Sequence, residues 1–203
     1  MDGNNFVISI GRRYGSGGRE IGRRLAEMFN IDFYDKELIT IAAKQSGFSE
    51  EILKENDESH NGSFLYSLVM GTYTGGDNLP LNHKLFLAQF DTIKKLAEEK
   101  SCVIIGRCAD YALEYNPNCI KVFIHAGLDS RIKRAVEEYG VDPDKVEEII
   151  KKTDKKRESY YNFYTGKKWG NMENYDLTIN SAFSGIDGAV RVIADLVREK
   201  MNK

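Results

Sequence analysis

Short apolar runs rich in β-branched residues alternate with longer amphipathic stretches along most of the chain. Runs of this kind, bounded by glycine and polar residues, are typical of buried strands. We predict five strands, at 6–10, within 30–35 after a turn, and at 102–105, 120–126 and 175–180.

The stretches between these runs carry apolar residues at helical spacing, as Ile21, Leu25 and Phe29 do after the first strand. Helices are predicted from about 21 to 29, at 36–43, 49–53, 64–70, 81–100, 109–115, 129–139, 142–164 and 186–200. The segment 56–80 is polar and glycine-rich, and long irregular inserts of this type usually form lids or mobile loops. Strands that alternate with helices predict an α/β fold with a parallel sheet covered on both faces.

Composition limits the classes of protein to consider. A chain of 203 residues suits one core with a small lid or insert, and 41% hydrophobic with 30% charged residues is typical of a soluble domain. The net charge of −2 argues against general nucleic-acid binding, and no apolar run is long enough to span a membrane. The start of the chain lacks a signal-peptide pattern, and the three cysteines form no C-x-x-C pair. We therefore expect a cytoplasmic protein with free thiols, no disulfide and no zinc framework.

A glycine-rich loop joins the first predicted strand to the first predicted helix. A strand, such a loop and a helix together form a typical phosphate cradle, because backbone N–H groups can approach an anion closely. The loop nearly matches the P-loop pattern G-x-x-x-x-G-K-[ST], but counting from Gly17 puts Gly18 at the lysine position and Arg19 at the hydroxyl position. We predict that Arg19 is the substitute cation; the alternative is a turn that only packs the helix against the strand. The predicted phosphate-binding residues are Gly11, Arg13, Tyr14, Gly15, Ser16, Gly17, Gly18, Arg19 and Glu20.

Further charged residues follow other predicted strands. Asp35 and Gly106-Arg107 come directly after strands, so they should meet the glycine loop at the carboxyl edge of the sheet. Arginine suits phosphate oxygens, and more arginines follow at 131, 134 and 157. Each has a second interpretation: Asp35 and Asp110 can be helix caps, and Arg131 and Arg134, one turn apart, can form surface ion pairs.

A basic helix at 151–158 runs directly into an aromatic segment at 160–169. A basic patch beside aromatics can hold a phosphate and stack a base, but packing on the core explains the aromatic residues equally well. His60, His83 and His125 are scattered and show no metal-ligand spacing, so no protein metal site is predicted.

These segments together resemble the cytidylate kinase-like family, a branch of the P-loop nucleoside monophosphate kinases. The resemblance is carried by residues 8–22, 33–39, 103–111, 153–161 and 164–169, and it covers nearly the whole chain outside 56–80. It implies a single domain over 1–203 with a three-layer α/β/α P-loop NTPase fold. It also implies a five-stranded parallel sheet, a helical insert of the nucleoside-monophosphate-binding type within 36–100, and a short lid at about 154–170.

The resemblance also implies a function. ATP and Mg²⁺ would supply the phosphoryl group, and a nucleoside monophosphate, CMP or a similar small molecule, would accept it. No nucleic-acid or membrane partner is expected, and a homodimer is left open. The implied acceptor-side residues are Asp35, Arg107, Asp110 and Asp154, and the implied catalytic residues are Arg19, Arg131 and Arg157.

The chain departs from this family at the glycine loop. Cytidylate kinases carry Gly-Lys-Gly-Thr where this chain has Gly17-Gly18-Arg19-Glu20, and an acidic residue where it has Ile105. Two further hypotheses therefore stay open beside a nucleotide kinase. One is a catalytically inactive nucleotide-binding sensor or partner module with the same fold, and the other is a kinase for a non-nucleotide metabolite.

Overall fold

Five parallel strands form the centre of the computed structural model, which describes residues 5–35, 38, 40, 41 and 81–202. The strand order is β2-β3-β1-β4-β5, and every neighbouring pair is parallel. The strands are β1 Val7–Arg12, β2 Asp32–Tyr34, β3 Cys102–Ile105, β4 Cys119–His125 and β5 Leu177–Asn180. The helices of the described residues are α1 Gly18–Phe29, α2 Leu81–Glu99, α3 Ala109–Ala112, α4 Leu128–Tyr139, α5 Val146–Thr165 and α6 Ser181–Met201, with a 3₁₀ turn at Met172–Asn174.

Both faces of the sheet are buried, which explains why its strands are continuous apolar runs rather than alternating ones. Successive side chains of a strand point to opposite faces, so Ile8 belongs to one layer of the core and Val7 to the other. The first layer is filled from α1 and α6, by residues such as Leu25 and Ile193. The second is filled from α2 and α3, by residues such as Ile93. The predicted three-layer α/β/α arrangement is therefore confirmed.

The boundaries of several elements differ from the sequence prediction. Strand β1 continues through Gly11 and Arg12, because β4 runs beside it as far as Ile124. Helix α6 begins at Ser181, where the Asn180 side chain accepts the N–H of Ala182, and it is broken at Gly185 before the predicted start at 186. The 3₁₀ turn before β5 was not predicted, and α3 ends at 112 rather than at 115.

The predicted helices at 49–53 and 64–70, and most of the one at 36–43, lie outside the described residues, as does the segment 56–80. The described part of the expected insert is mainly α2. The amphipathic pattern predicted this helix at 81–100, and it ends one residue earlier, at Glu99. Because all five strands are parallel, the residues that follow them gather along one edge of the sheet.

Candidate functional site at the carboxyl edge of the sheet

The glycine loop between β1 and α1 needs glycine for two physical reasons. Gly15 and Gly17 have φ angles of 78° and 77°, in the left-handed region that favours glycine. A Cβ on Gly15 would lie 2.6 Å from the carbonyl oxygen of Arg131, and one on Gly18 would lie 2.6 Å from the Cβ of Arg12. The loop is therefore packed closely from both sides, and it leads directly into the first turn of α1, whose N–H groups have no intrahelical acceptors.

Two of the predicted loop residues, Gly11 and Ser16, have no free side chain to offer a ligand. Gly11 is inside β1, and a Cβ there would lie 2.7 Å from the Phe123 ring. Ser16 is 1% exposed. Its hydroxyl is within donating distance of two carbonyl oxygens, that of Arg13 at 2.8 Å and that of Ile124 at 3.1 Å. Because this hydroxyl is used to hold the loop on β4, Ser16 shapes the cradle from within.

Asp154, on α5, holds the glycine loop through two hydrogen bonds. Its Oδ1 accepts the backbone N–H of Tyr14 at 2.8 Å, and its Oδ2 accepts Nη1 of Arg131 at 2.7 Å. Nη1 of Arg131 also donates to the Tyr14 carbonyl at 3.2 Å. The side chains of Arg131 and Asp154 are 7% and 13% exposed, so this is a buried ion pair. We call this group the Asp154 latch; it joins α4 and α5 to the loop.

Arg157 lies one turn beyond Asp154 and reaches the same loop. Its Nη1 donates to the Arg12 carbonyl at 3.2 Å, and its guanidinium carbon is 5.9 Å from the centre of the Tyr14 ring. Its Nε is buried and finds no hydrogen-bond partner within the described part of the chain. The guanidinium carbon of Arg13, in the same loop, lies 6.0 Å from the centre of the Trp169 ring. Helix α5 and the segment after it therefore cover the loop.

Asp35, after β2, binds two arginines of the loop region. Its Oδ2 accepts Nε of Arg19 at 2.6 Å, and its Oδ1 lies 3.8 Å from Nη2 of Arg12. Asp35 is buried, whereas the Arg19 side chain is 64% exposed. Arg19 is thus directed towards the β2 side of the loop by its carboxylate partner. Arg12, which was not among the predicted phosphate-binding residues, crosses to the end of β3, where its Nη1 lies in the space that a Cβ on Gly106 would take.

The turn after β3 adopts an uncommon backbone conformation. Gly106, Arg107 and Cys108 have φ angles of 69°, 56° and 54° in succession. Residues other than glycine rarely adopt this region of φ, and such backbone strain is found mainly at functional sites. The turn places Arg107 at the carboxyl edge of the sheet, as the sequence predicted from its position after a strand.

Asp110 lies in the first turn of α3 and contacts α5. It is 7% exposed, and its Oδ2 accepts the hydroxyl of Tyr161 at 2.7 Å. Burial raises the pKa of the Asp110 carboxyl, and the Tyr161 hydrogen bond partly opposes this shift. Burial and the nearby Asp110 raise the pKa of Tyr161 as well. The structure therefore gives Asp110 a buried partner, and its predicted contact with a substrate stays a prediction.

Most aromatic residues of 160–169 pack on the protein rather than line an open surface. The rings of Phe86 and Tyr164 stack with their centres 4.1 Å apart, which fastens α5 to α2. Trp169 meets the Phe123 ring edge-on at 5.4 Å. Packing on the core thus accounts for these residues, as one of the two interpretations of the sequence expected.

A cleft of about 190 Å³ opens beside the glycine loop on the β4 side. It is lined by Gly15, Ser16, Ala126, Ser130, Arg134, Ser181, Ala182, Gly185 and Ile186. Arg134 is its cationic residue, and Arg134 also forms an ion pair with Glu20 in the first turn of α1. The predicted site residues did not include Arg134; the available signal was its position one turn after Arg131, on the helix that follows β4.

Other classes of site have less support in the described residues. Among residues 5–35, 38, 40, 41 and 81–202, no three His, Cys, Asp or Glu side chains are grouped so that they could hold a metal ion. None of the helices searched in the same residues is long and apolar enough to cross a membrane.

Comparison with known proteins identifies a family that the sequence matches. The model of the cytidylate kinase-like family matches residues 7–182. No curated protein is a significant match to the sequence.

Solved structures share the fold. An uncharacterised protein from Eubacterium ventriosum is 33% identical, with a TM-score of 0.71, covering 96% of this chain and 99% of the other. The shikimate kinase from Bacteroides thetaiotaomicron is 15% identical, with a TM-score of 0.53 and coverage of 95% and 98%. A shikimate kinase from Acinetobacter baumannii, in complex with shikimate, is 14% identical, with a TM-score of 0.53 and coverage of 98% and 96%. The last two show that the chain shares its fold with shikimate kinases.

Proposed function

The chain belongs to the cytidylate kinase-like family, and on that premise we propose that it transfers the γ-phosphoryl group of ATP to a small phosphate acceptor, a CMP-like nucleoside monophosphate. The observation that carries the proposal is the glycine loop at the carboxyl edge of a parallel sheet, with arginines reaching it from both sides. Phosphoryl transfer needs mainly phosphates held in position and positive charge around them. At this edge, backbone N–H groups of the loop can hold phosphates and the arginines supply the charge.

The donor phosphates would bind at the loop. Backbone N–H groups at Gly17 and in the first turn of α1 point towards the carboxyl edge, and the helix dipole favours an anion there. Mg²⁺ in kinase sites is bound through one or two carboxylates together with substrate phosphates and water. Among the described residues, the carboxylates beside the loop are each paired with an arginine: Asp35 with Arg19, Asp154 with Arg131 and Glu20 with Arg134. A Mg²⁺ here would therefore be held mainly by the substrate phosphates and water. A bound Mg²⁺ would neutralise charge on the phosphates.

The acceptor would bind on the β2 side, where Asp35 pairs with Arg19 and lies near Arg12, and Arg107 would reach it from the turn after β3. Arginines suit phosphate oxygens, and a carboxylate accepts hydrogen bonds. The two together suit a molecule that has both a phosphate and hydrogen-bonding groups. In the reaction the bond between the γ-phosphorus and the bridging oxygen of ADP breaks, and an acceptor oxygen forms the new bond to phosphorus. Arg157, which already touches the loop, would stabilise the charge on the transferring group.

The test is single-turnover transfer from Mg·ATP to a panel of nucleoside monophosphates. The panel also includes shikimate, because a structural neighbour binds this non-nucleotide metabolite. We expect Arg157→Ala to keep ATP affinity within a few-fold and to lower the transfer rate by about two to four orders of magnitude. Lys155→Ala removes an exposed cation two residues earlier and serves as the matched control, with an unchanged rate.

One observation favours a second candidate, a nucleotide-binding module without catalysis. The implied catalytic arginines Arg19 and Arg131 are each paired with a carboxylate, Asp35 and Asp154 respectively. Wild-type protein that binds ATP but transfers to no member of the panel would support this candidate. Equal transfer rates in the wild type and Arg157→Ala would remove Arg157 from the mechanism.

A further inference from the structure

We propose that Arg134, reaching the glycine loop from α4, is the side chain that binds the donor phosphates. This inference rests on the proposed function and adds to it a specific residue, in the place where the P-loop pattern has a lysine on the loop itself.

The position of Arg134 relative to the loop is the first argument. A Cβ added to Gly17 would lie 3.2 Å from its Nε and 3.4 Å from its Cζ, so the guanidinium lies against the residue that caps α1. Arg134 also lines the cleft together with Gly15 and Ser16. An anion seated on the loop would therefore be within reach of this guanidinium.

The hydrogen bonds of Arg134 leave it able to bind such an anion. Its Nη2 donates to Oε2 of Glu20, whose Oε1 accepts Nη2 of Arg24 at 2.6 Å. The Nε of Arg134 is buried and has no partner among the residues that the structure describes. A guanidinium has five N–H donors, so one carboxylate contact holds its orientation and leaves donors for phosphate oxygens. Arg24, the second partner of Glu20, also forms an ion pair with Asp187.

Arg19, the cation that the sequence suggested, lies on the other side of the loop. It pairs with Asp35, which follows β2, whereas Arg134 is on the helix that follows β4. In the strand order β2-β3-β1-β4-β5, these two positions are on opposite sides of β1. Arg19 is also absent from the lining of the cleft, which includes Arg134. Arg134 therefore faces the donor side and Arg19 the acceptor side.

The experiment measures the affinity for Mg·ATP and for Mg·tripolyphosphate, which has the phosphates but no base, by calorimetric titration. Arg134→Ala should weaken both by a similar factor of about 10- to 100-fold, the usual effect of losing a charge-assisted contact. Arg134→Lys keeps a charge opposite Glu20 and should recover only part of the loss, because an ammonium cannot bind two oxygens as a fork. Lys133→Ala, an exposed cation next to it on α4, should leave both affinities unchanged.

Three results would overturn the inference. Unchanged tripolyphosphate affinity in Arg134→Ala, with a lower melting temperature, would make the residue purely structural. A loss for ATP alone would place it on the base. If Arg134→Ala does not fold, full affinity in Arg134→Lys would count against the guanidinium contact. Failure of the proposed function is distinguishable: wild-type protein would then bind tripolyphosphate through Arg134 and yet transfer nothing to the acceptor panel.

Discussion

Replacing Asp154 by asparagine should destabilise the protein strongly, because it breaks the Asp154 latch without changing its shape. An asparagine oxygen can still accept the Tyr14 N–H, but its amide group would face the Arg131 guanidinium in place of a carboxylate oxygen now 2.7 Å away. Removing one partner of a buried ion pair costs about 3–5 kcal/mol, since the other charge stays buried and unpaired. Arg131 keeps its bond to the Tyr14 carbonyl, so we expect a loss near the lower limit, about 3 kcal/mol.

The free energy of unfolding can be measured by urea denaturation, with Trp169, the single tryptophan, as the fluorescent probe. Glu147→Gln is the matched control on the same helix. Glu147 pairs with Lys151 at 2.6 Å, but the two side chains are 51% and 68% exposed. An exposed pair of this spacing contributes about 0.3–0.5 kcal/mol, so the control should change stability very little.

A double-mutant cycle with Arg131→Met isolates the energy of the pair itself. Once the cation is gone, Asp154→Asn should cost much less than it does in the wild type, which gives a coupling energy of at least about 1 kcal/mol. A loss in Asp154→Asn no larger than that in Glu147→Gln would refute this account of the latch, and so would strictly additive effects of the two latch substitutions.

Three further predictions concern the glycine loop, the buried carboxyl group and the thiols. Gly17→Ala should lower the melting temperature, because a φ of 77° strains alanine by about 1–2 kcal/mol, whereas Gly188→Ala within α6 has room and should not lower it. The raised pKa of Asp110 means that the native state holds this proton more tightly than the unfolded state, whose pKa is about 3.9. Wild-type stability should therefore fall as the pH rises above the unfolded-state pKa, and the stability of Asp110→Asn should fall less over the same rise in urea titrations; a difference between the two proteins that does not change with pH would contradict this. Burial raises the pKa of the thiols, to about 12 for Cys102 and Cys119, so a disulfide reagent at pH 8 should react slowly with native protein and rapidly with all three cysteines after unfolding.

The sequence by itself determined the architecture and the position of the glycine loop. Strands buried on both faces must be continuous apolar runs, and helices that cover them must be amphipathic, so each element leaves a local pattern that needs no knowledge of the rest of the chain. The glycines at 15 and 17 are local signals too, because the backbone needs positive φ there. The same logic placed Asp35 and Arg107 at the carboxyl edge, since every strand of the sheet is parallel.

Only the tertiary structure decided which charged groups meet. Tyr14 and Asp154 are 140 residues apart in sequence, and Glu20 and Arg134 are 114 apart, so no local pattern links them. The sequence treated Arg131 and Arg157 as equivalent candidates, but the fold buries Arg131 in a pair with Asp154, whereas Arg157 donates to the Arg12 carbonyl and lies near the Tyr14 ring. An arginine has the same charge in either setting. What it can bind depends on which carboxylate the chain topology brings beside it, and that pairing exists only once the strands have taken their order in the sheet.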